Sequence, residues 1–125
     1  MKVFKLPDII ESQGGAEYCM GRDALKTHAV YLVYGKVRPG ETERKLMPGK
    51  GHEEILFVVK GSLNVKKDKM GFTVAEGEAF HLKEEEVFIL DNPGQKEAVY
   101  IIAGARAEAE ARPTEEPVQT AAKED

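Results

Sequence analysis

Apolar positions along this chain recur with period two over short runs, and turn residues interrupt them at intervals of about ten residues. HAVYLVYGKVR (28–38) is β-branched and aromatic and ends at Pro39-Gly40; EILFVVK (54–60) is closed by Gly61. SLNVKK (62–67) precedes a turn at Asp68 to Gly71, and GFTVA (71–75) runs to Glu76-Gly77. EAFHL (78–82) and EVFIL (86–90) follow, the latter terminated by Asp91-Asn92-Pro93-Gly94, whose Pro and Gly occupy the central positions favoured by a type II turn. EAVYIIAGA (97–105) is the last strand expected. No helical period is evident after residue 25, and this spacing predicts an all-β fold, an antiparallel sandwich or barrel. Residues 8–26 are ambiguous, because Gly14-Gly15 splits any helix there.

The strand 54–60 is apolar on both faces. Ile55, Phe57 and Val59 point one way, and Leu56 and Val58 point the other with Glu54 beside them. Both faces then need a cover, from another segment or from a second subunit, and a homodimer formed by sheet packing is the expectation. The end of the chain has a different composition. Residues 105–125 are built from Ala, Glu, Pro and Thr, with Val118 the one larger aliphatic, and carry six acids and three bases. Such a segment buries too little apolar surface to offset the entropy of ordering. One domain over 1–104 and a disordered acidic tail over 105–125 are expected, with Ala/Glu residues 105–111 long enough for a helical turn or two before Pro113.

At 125 residues the chain is long enough for one domain with a core of its own. Three of its four net negative charges lie in 105–125, so the body is near neutral. Without a basic cluster interleaved with aromatics, nucleic acid is not an expected partner. No run approaches the roughly 20 apolar residues of a membrane helix. Asp8 and Glu11 stand where a signal peptide needs an uninterrupted apolar stretch, so a cytoplasmic protein is expected. The single cysteine, Cys19, excludes an intramolecular disulfide and any zinc site made of several cysteines. With only Arg22 near it in sequence, its thiol reads as inert. Phosphate loops, nucleophile elbows and glycosidase carboxylate pairs are absent.

Glu54 stands seven residues before Gly61 with an apolar strand between, and Gly77 and Asn92 are fifteen apart with two short strands between. Together with the Arg38-Pro39-Gly40 turn, this arrangement over residues 28–104 resembles the two motifs of the cupin superfamily. The resemblance implies a small antiparallel β-barrel of the jelly-roll (double-stranded β-helix) type with an open mouth. In metal-binding members, two histidines and a glutamate of the first motif and a histidine of the second hold a divalent ion. Here the glutamate position is Glu54, but Pro48, Lys50 and Phe88 stand where the three histidines would be. The usual metal site is therefore not expected, and Phe88, with Tyr34 and Leu56, would make the cavity more apolar.

A reduced site remains conceivable. If the strand already runs through His52, that side chain shares a face with Glu54. His52, Glu54 and His81 would form a His/His/Glu set suited to Zn, Mn, Fe or Ni with open coordination positions. Alternation within 78–82 pairs Phe80 with Leu82, however, which turns His81 outward, and nothing in the sequence brings His28 to the cavity. The plainer readings are a rim or hydrogen-bonding role for His52, a solvated loop for Lys50, solvent exposure for Glu53, and an exposed turn for KEEE (83–86). Glu54 is the strongest candidate, since a carboxylate opening an apolar strand is costly to bury unpaired, and a metal, His52 or Lys50 is its expected partner. Tyr31 and Tyr34, three apart on one strand, face opposite ways, and Tyr34 is taken as the cavity residue. Two functions follow. One is a barrel that binds or senses a small polar organic ligand through Lys50, His52, Glu54, Tyr34 and Phe88, without a cofactor. The other is a metal-dependent isomerase or oxygenase using the reduced ligand set.

Overall fold

A computed structural model of the chain describes residues 1–107; the expected tail from 108 onward lies outside them. All seven predicted strands form, with ends moved by no more than two residues. Four elements were not foreseen: the helix α1 (Leu6–Gln13), a short second helix, and two strands, β1 (Glu17–Met20) and β3 (Arg44–Leu46). In α1, Pro7 sits in the first turn, Ile10 is fully buried, and Gly14 caps the end with φ of 67°. Gly14 thus terminates a helix rather than splitting one. A short second helix, α2 (Arg22–Leu25), leads into β2 (Val30–Val37). β3 eluded the pattern because three residues, two of them basic, carry no readable period.

The remaining strands are β4 (His52–Lys60), β5 (Ser62–Lys67), β6 (Met70–Ala75), β7 (Ala79–Leu82), β8 (Phe88–Asp91) and β9 (Ala98–Arg106). Ala105 and Arg106 therefore belong to the last strand rather than to the start of a tail helix. The strands form two antiparallel sheets, a five-stranded one ordered β1-β2-β9-β4-β7 and a four-stranded one ordered β3-β8-β5-β6. The core lies between them: Leu56, Val58, Leu82, Tyr100 and Ile102 from the larger sheet meet Leu63, Val65, Phe88 and Leu90 from the smaller. This is a jelly-roll barrel, and burial of its two inner faces is the main stabilising term.

The turn after β8 differs from the type II turn expected. Gly94 does not adopt the positive φ that such a turn demands. The buried side chain of Asn92 organises the segment instead. Its Nδ2 donates to the carbonyls of Val37 and Lys96 (2.9 Å each), and its Oδ1 accepts from the Gly94 amide (3.0 Å). The Asn92 backbone also pairs with Gly40 and Glu41, which ties β8 to the Pro39-Gly40 turn. Asn92 is a structural residue.

Two tyrosines set the register at the centre of the larger sheet. In the β2–β9 pairing, Tyr31 faces Gly104 and Tyr100 faces Gly35, symmetrically about the Val33–Ile102 pair. A Cβ on Gly104 would lie 2.1 Å from the Tyr31 ring, and one on Gly35 would lie 2.3 Å from the Tyr100 ring. Each ring thus lies flat across the glycine of the neighbouring strand, a close approach only a residue without Cβ allows. The fully buried Tyr100 cannot swing away. Gly35→Ala is therefore expected to destabilise the protein by about 1–3 kcal/mol through overpacking, read as a lower urea midpoint with an unchanged m-value.

Candidate functional site at the accessible end of the barrel

The inner face of the larger sheet changes character along its length. Toward one end it is filled by aliphatic side chains and by the Phe72, Phe80 and Phe88 rings, with neighbouring centroids 5.2–5.5 Å apart. Toward the other it carries Tyr31 from β2 and His52 and Glu54 from β4, while Cys19 and Glu17 of β1 lie level with Leu56 and Val58 across the sheet. β4 does begin at His52, so His52 and Glu54 share a face, on the same side as the buried Leu56 and Val58. Pairing of Cys19 with Val33 and of Glu17 with Gly35 turns those β1 side chains to the same side.

Glu54 is half-buried, and its partner is none of the three expected. The Tyr31 hydroxyl crosses Gly104 and donates to Glu54 Oε2. The His52 ring packs edge-on against Tyr31 with centroids 5.5 Å apart. Burial pushes the Glu54 pKa above the usual carboxylate value, and the Glu17 charge adds to this; the Tyr31 hydrogen bond and His52 act against it. Burial and the Glu54 carboxylate in turn push the Tyr31 phenol far up, so it remains a donor. Tyr100 repeats the arrangement on the other side, donating to Glu17 Oε2 at 2.5 Å. It also accepts from Arg44 Nη1 at 3.1 Å, which links β3 of the smaller sheet to the larger one. The Cys19 thiol is accessible, but partial burial and the charges of Glu17 and Glu54 push its pKa up, the opposite of an activated thiol.

Several expected site residues lie elsewhere. Tyr34 faces outward: it pairs with Tyr18 and Ile101, on the opposite side from Val33 and Val37, and Tyr31 is the inward tyrosine. His81 pairs with Ile55 on the outer face, and its Nε2 lies 3.7 Å from Glu53. His28 precedes β2 and is exposed. Lys50 is exposed in the turn before β4. Phe88 is inward but only 4% exposed, packed on Phe80, so it fills the barrel rather than presenting a surface to a ligand. The KEEE turn also does more than face solvent. Glu84 accepts from the Gly51 amide, and Glu86 pairs with Lys67 at 2.6 Å. What sequence reasoning missed was Tyr31 and β1. Tyr31 shares the parity of Val33 and Val37, a signal that would have identified it; Glu17 and Cys19 depended on a strand that was not predicted.

The donor set does not fit a divalent ion of the cupin type. With His81 outside, only His52 and Glu54 remain of the reduced set, and the Tyr31 hydroxyl already engages the carboxylate. Among the described residues, no group of three or more His, Cys, Asp or Glu side chains is arranged to hold a metal. No helix among them is long and apolar enough to cross a membrane.

No protein-family model and no curated protein matches the sequence. Solved structures match in fold. A cupin protein from Bacteroides fragilis aligns with a TM-score of 0.65 over 96% of this chain and 95% of its own, at 14% identity. A recombinant oxalate oxidase in complex with glycolate gives 0.63 at 21% identity, over 73% of this chain and 50% of its own. The cupin domain of Cnp3 from Schizosaccharomyces pombe gives 0.56 at 13% identity, over 62% of this chain and 53% of its own. This chain thus spans about half the length of the last two. At such identities the likeness establishes the cupin fold, as the motif resemblance implied.

Because the Tyr31 hydrogen bond is a force holding the Glu54 pKa down, Tyr31→Phe should raise it further, which a carboxyl NMR titration would detect. Stability has a definite sign as well. A carboxyl whose folded pKa is raised favours folding below its ordinary value of 4.5 and loses that contribution as pH rises through the folded value. The fall in stability with rising pH that Glu54 contributes across this window should be missing in Glu54→Gln, read as the difference between the wild-type and variant pH profiles of denaturation.

Proposed function

We propose that this cupin-fold chain is a small-molecule binding module that takes its ligand at the accessible end of the barrel, without a metal. Its preferred ligand is a small organic molecule carrying a protonated amine or a comparable hydrogen-bond donor. The observation that supports this most directly is the half-buried Glu54 carboxyl, fixed by Tyr31 beside a second carboxylate, Glu17. Among the described residues, neither carboxylate takes part in an ion pair. Their mutual repulsion and the partial loss of solvation both disfavour the charged form of Glu54. A ligand ammonium relieves both, and charge-assisted hydrogen bonds to it are among the stronger polar contacts.

The chain's own groups divide the task. Glu54 accepts from the ligand through the oxygen lone pairs that Tyr31 leaves open. Tyr31, locked over Gly104, fixes the orientation of that carboxylate. The His52 ring, edge-on to Tyr31, shapes the rim and supplies a further donor or acceptor. An anionic ligand would meet Glu17 and Glu54 and be repelled. The metal-dependent isomerase or oxygenase is not favoured, because the geometry removes His81 from its ligand set.

The test is a thermal-shift and calorimetric screen with a panel of small primary amines, diamines and the matching alcohols and carboxylates. Amines should raise the melting temperature, and Glu54→Gln should weaken their binding roughly 10- to 100-fold, the range of a hydrogen bond to a charged group. Affinity should be full at neutral pH and fall as pH is lowered through the raised Glu54 pKa. Preferential binding of carboxylates, amine affinity indifferent to Glu54→Gln, or near-stoichiometric metal that disappears in Glu54→Ala would each overturn the proposal.

A further inference from the structure

α1 lies against one end of the outer face of the five-stranded sheet. It packs on β1 and β2 with Ile10 fully buried, and Val99, the partner of Lys36 in the β2–β9 pairing, is buried as well. Beside this helix opens a cavity of about 200 Å³, lined by Ile10, Glu11, Gly14, Lys36, Arg38 and Glu97. It shares Ala16 and Arg38 with a wider recess of about 440 Å³ that Pro39, Gly40 and Glu41 complete. The sequence leaves this space open because Gly14-Gly15-Ala16, the link from α1 to β1, has no side chain able to fill it. A Cβ placed on Gly14 would meet nothing within 4 Å.

Four charged side chains line the cavity, two of each sign. One step beyond the Val37–Ala98 pair, the β2–β9 register sets Arg38 opposite Glu97, a cross-strand position at which opposite charges attract. The pair is not closed. Among the described residues, none of Glu11, Lys36, Arg38 and Glu97 takes part in an ion pair. The hydrogen bonds of Lys36 and Arg38 are made by their backbones. Lys36 and Glu97 are also partly buried, so each gives up solvation that a ligand of opposite charge restores.

We infer that this cavity binds a small zwitterion, an amino acid whose carboxylate meets Lys36 and Arg38 and whose ammonium meets Glu11 and Glu97. The C-terminal end of α1 lies on the side of the ammonium, where the helix dipole favours positive charge. The ligand's side chain runs past Ala16 and Pro39 into the wider recess. Selectivity follows from the two signs of charge. A simple amine leaves Lys36 and Arg38 without a partner, and a simple carboxylate leaves Glu11 and Glu97 without one. The site lies on the opposite side of the sheet from Glu54 and stands independently of the amine site there.

The experiment is an amide-resolved NMR titration of the full chain with alanine and leucine. Ethylamine and propionate, which each keep one of alanine's two charges, are the controls. Both amino acids should shift the amides of Gly14, Gly15, Lys36 and Arg38 saturably, and neither control should do so at the same concentration. Arg38→Gln and Glu97→Gln should each weaken binding about 10-fold, the loss expected for one charge-assisted hydrogen bond. Glu54→Gln should leave it unchanged. Should either variant fail to fold, Glu11→Gln, at an exposed position of α1, gives the same reading. Propionate or ethylamine binding as tightly as alanine would overturn the inference, as would an affinity unmoved by these variants. So would the absence of a saturable shift at up to ~10 mM of either amino acid. Shifts confined to the surroundings of Tyr31 and Glu54 would overturn it too, while leaving the amine site standing.

Discussion

Two tyrosine rings lying across two glycines hold the centre of this protein together. Tyr31 over Gly104 and Tyr100 over Gly35 lock β2 to β9 in one register, since sliding either strand by a residue would drive a ring into a Cβ. The same crossings carry each phenol past its neighbouring strand to a carboxylate beyond it, Glu54 on β4 and Glu17 on β1. Four strands of the larger sheet are thereby coupled through two side chains. Arg44, donating to Tyr100 and to the Lys36 carbonyl, extends the coupling to the smaller sheet.

That device also determines where the polar side chains inside the barrel lie. A cupin-type barrel can hold an ion by gathering histidines and a glutamate inside it; here the corresponding positions hold proline, lysine and a buried phenylalanine. Phe88 stacks on Phe80 and closes the interior with apolar contacts, and polarity survives at the end where Tyr31 reaches Glu54. One carboxylate lies half-buried at that end, its charge made costly by burial and by Glu17 and eased by a phenol and an imidazole.

Much of this was legible in the residues, and the misses have definable causes. Alternating runs and regularly spaced turn residues located seven strands, and the parity of β4 placed Glu54 and His52 inside with Leu56 and Val58. Parity failed where it was not applied across the sheet. Tyr34 was taken as the inward tyrosine, although Val33 and Val37 share the parity of Tyr31. β1 and β3 were missed because three- and four-residue strands stabilised by pairing leave no period of their own. The turn at Asn92 was misjudged because the Pro-Gly pair signals a backbone conformation, while a buried amide with three hydrogen bonds enforces a different one.

By itself, the sequence determined the class of fold and the strand on which His52 and Glu54 share the inward face, because these depend on residue type and on a period of two. Only the tertiary structure decided which partner Glu54 takes and that β1 contributes a second carboxylate. These depend on contacts between residues 23 to 83 positions apart, such as Tyr31 with Glu54 and Glu17 with Tyr100. Pairing across strands is set by the packing of the whole barrel, and no local pattern encodes which distant side chain will arrive at a given carboxylate.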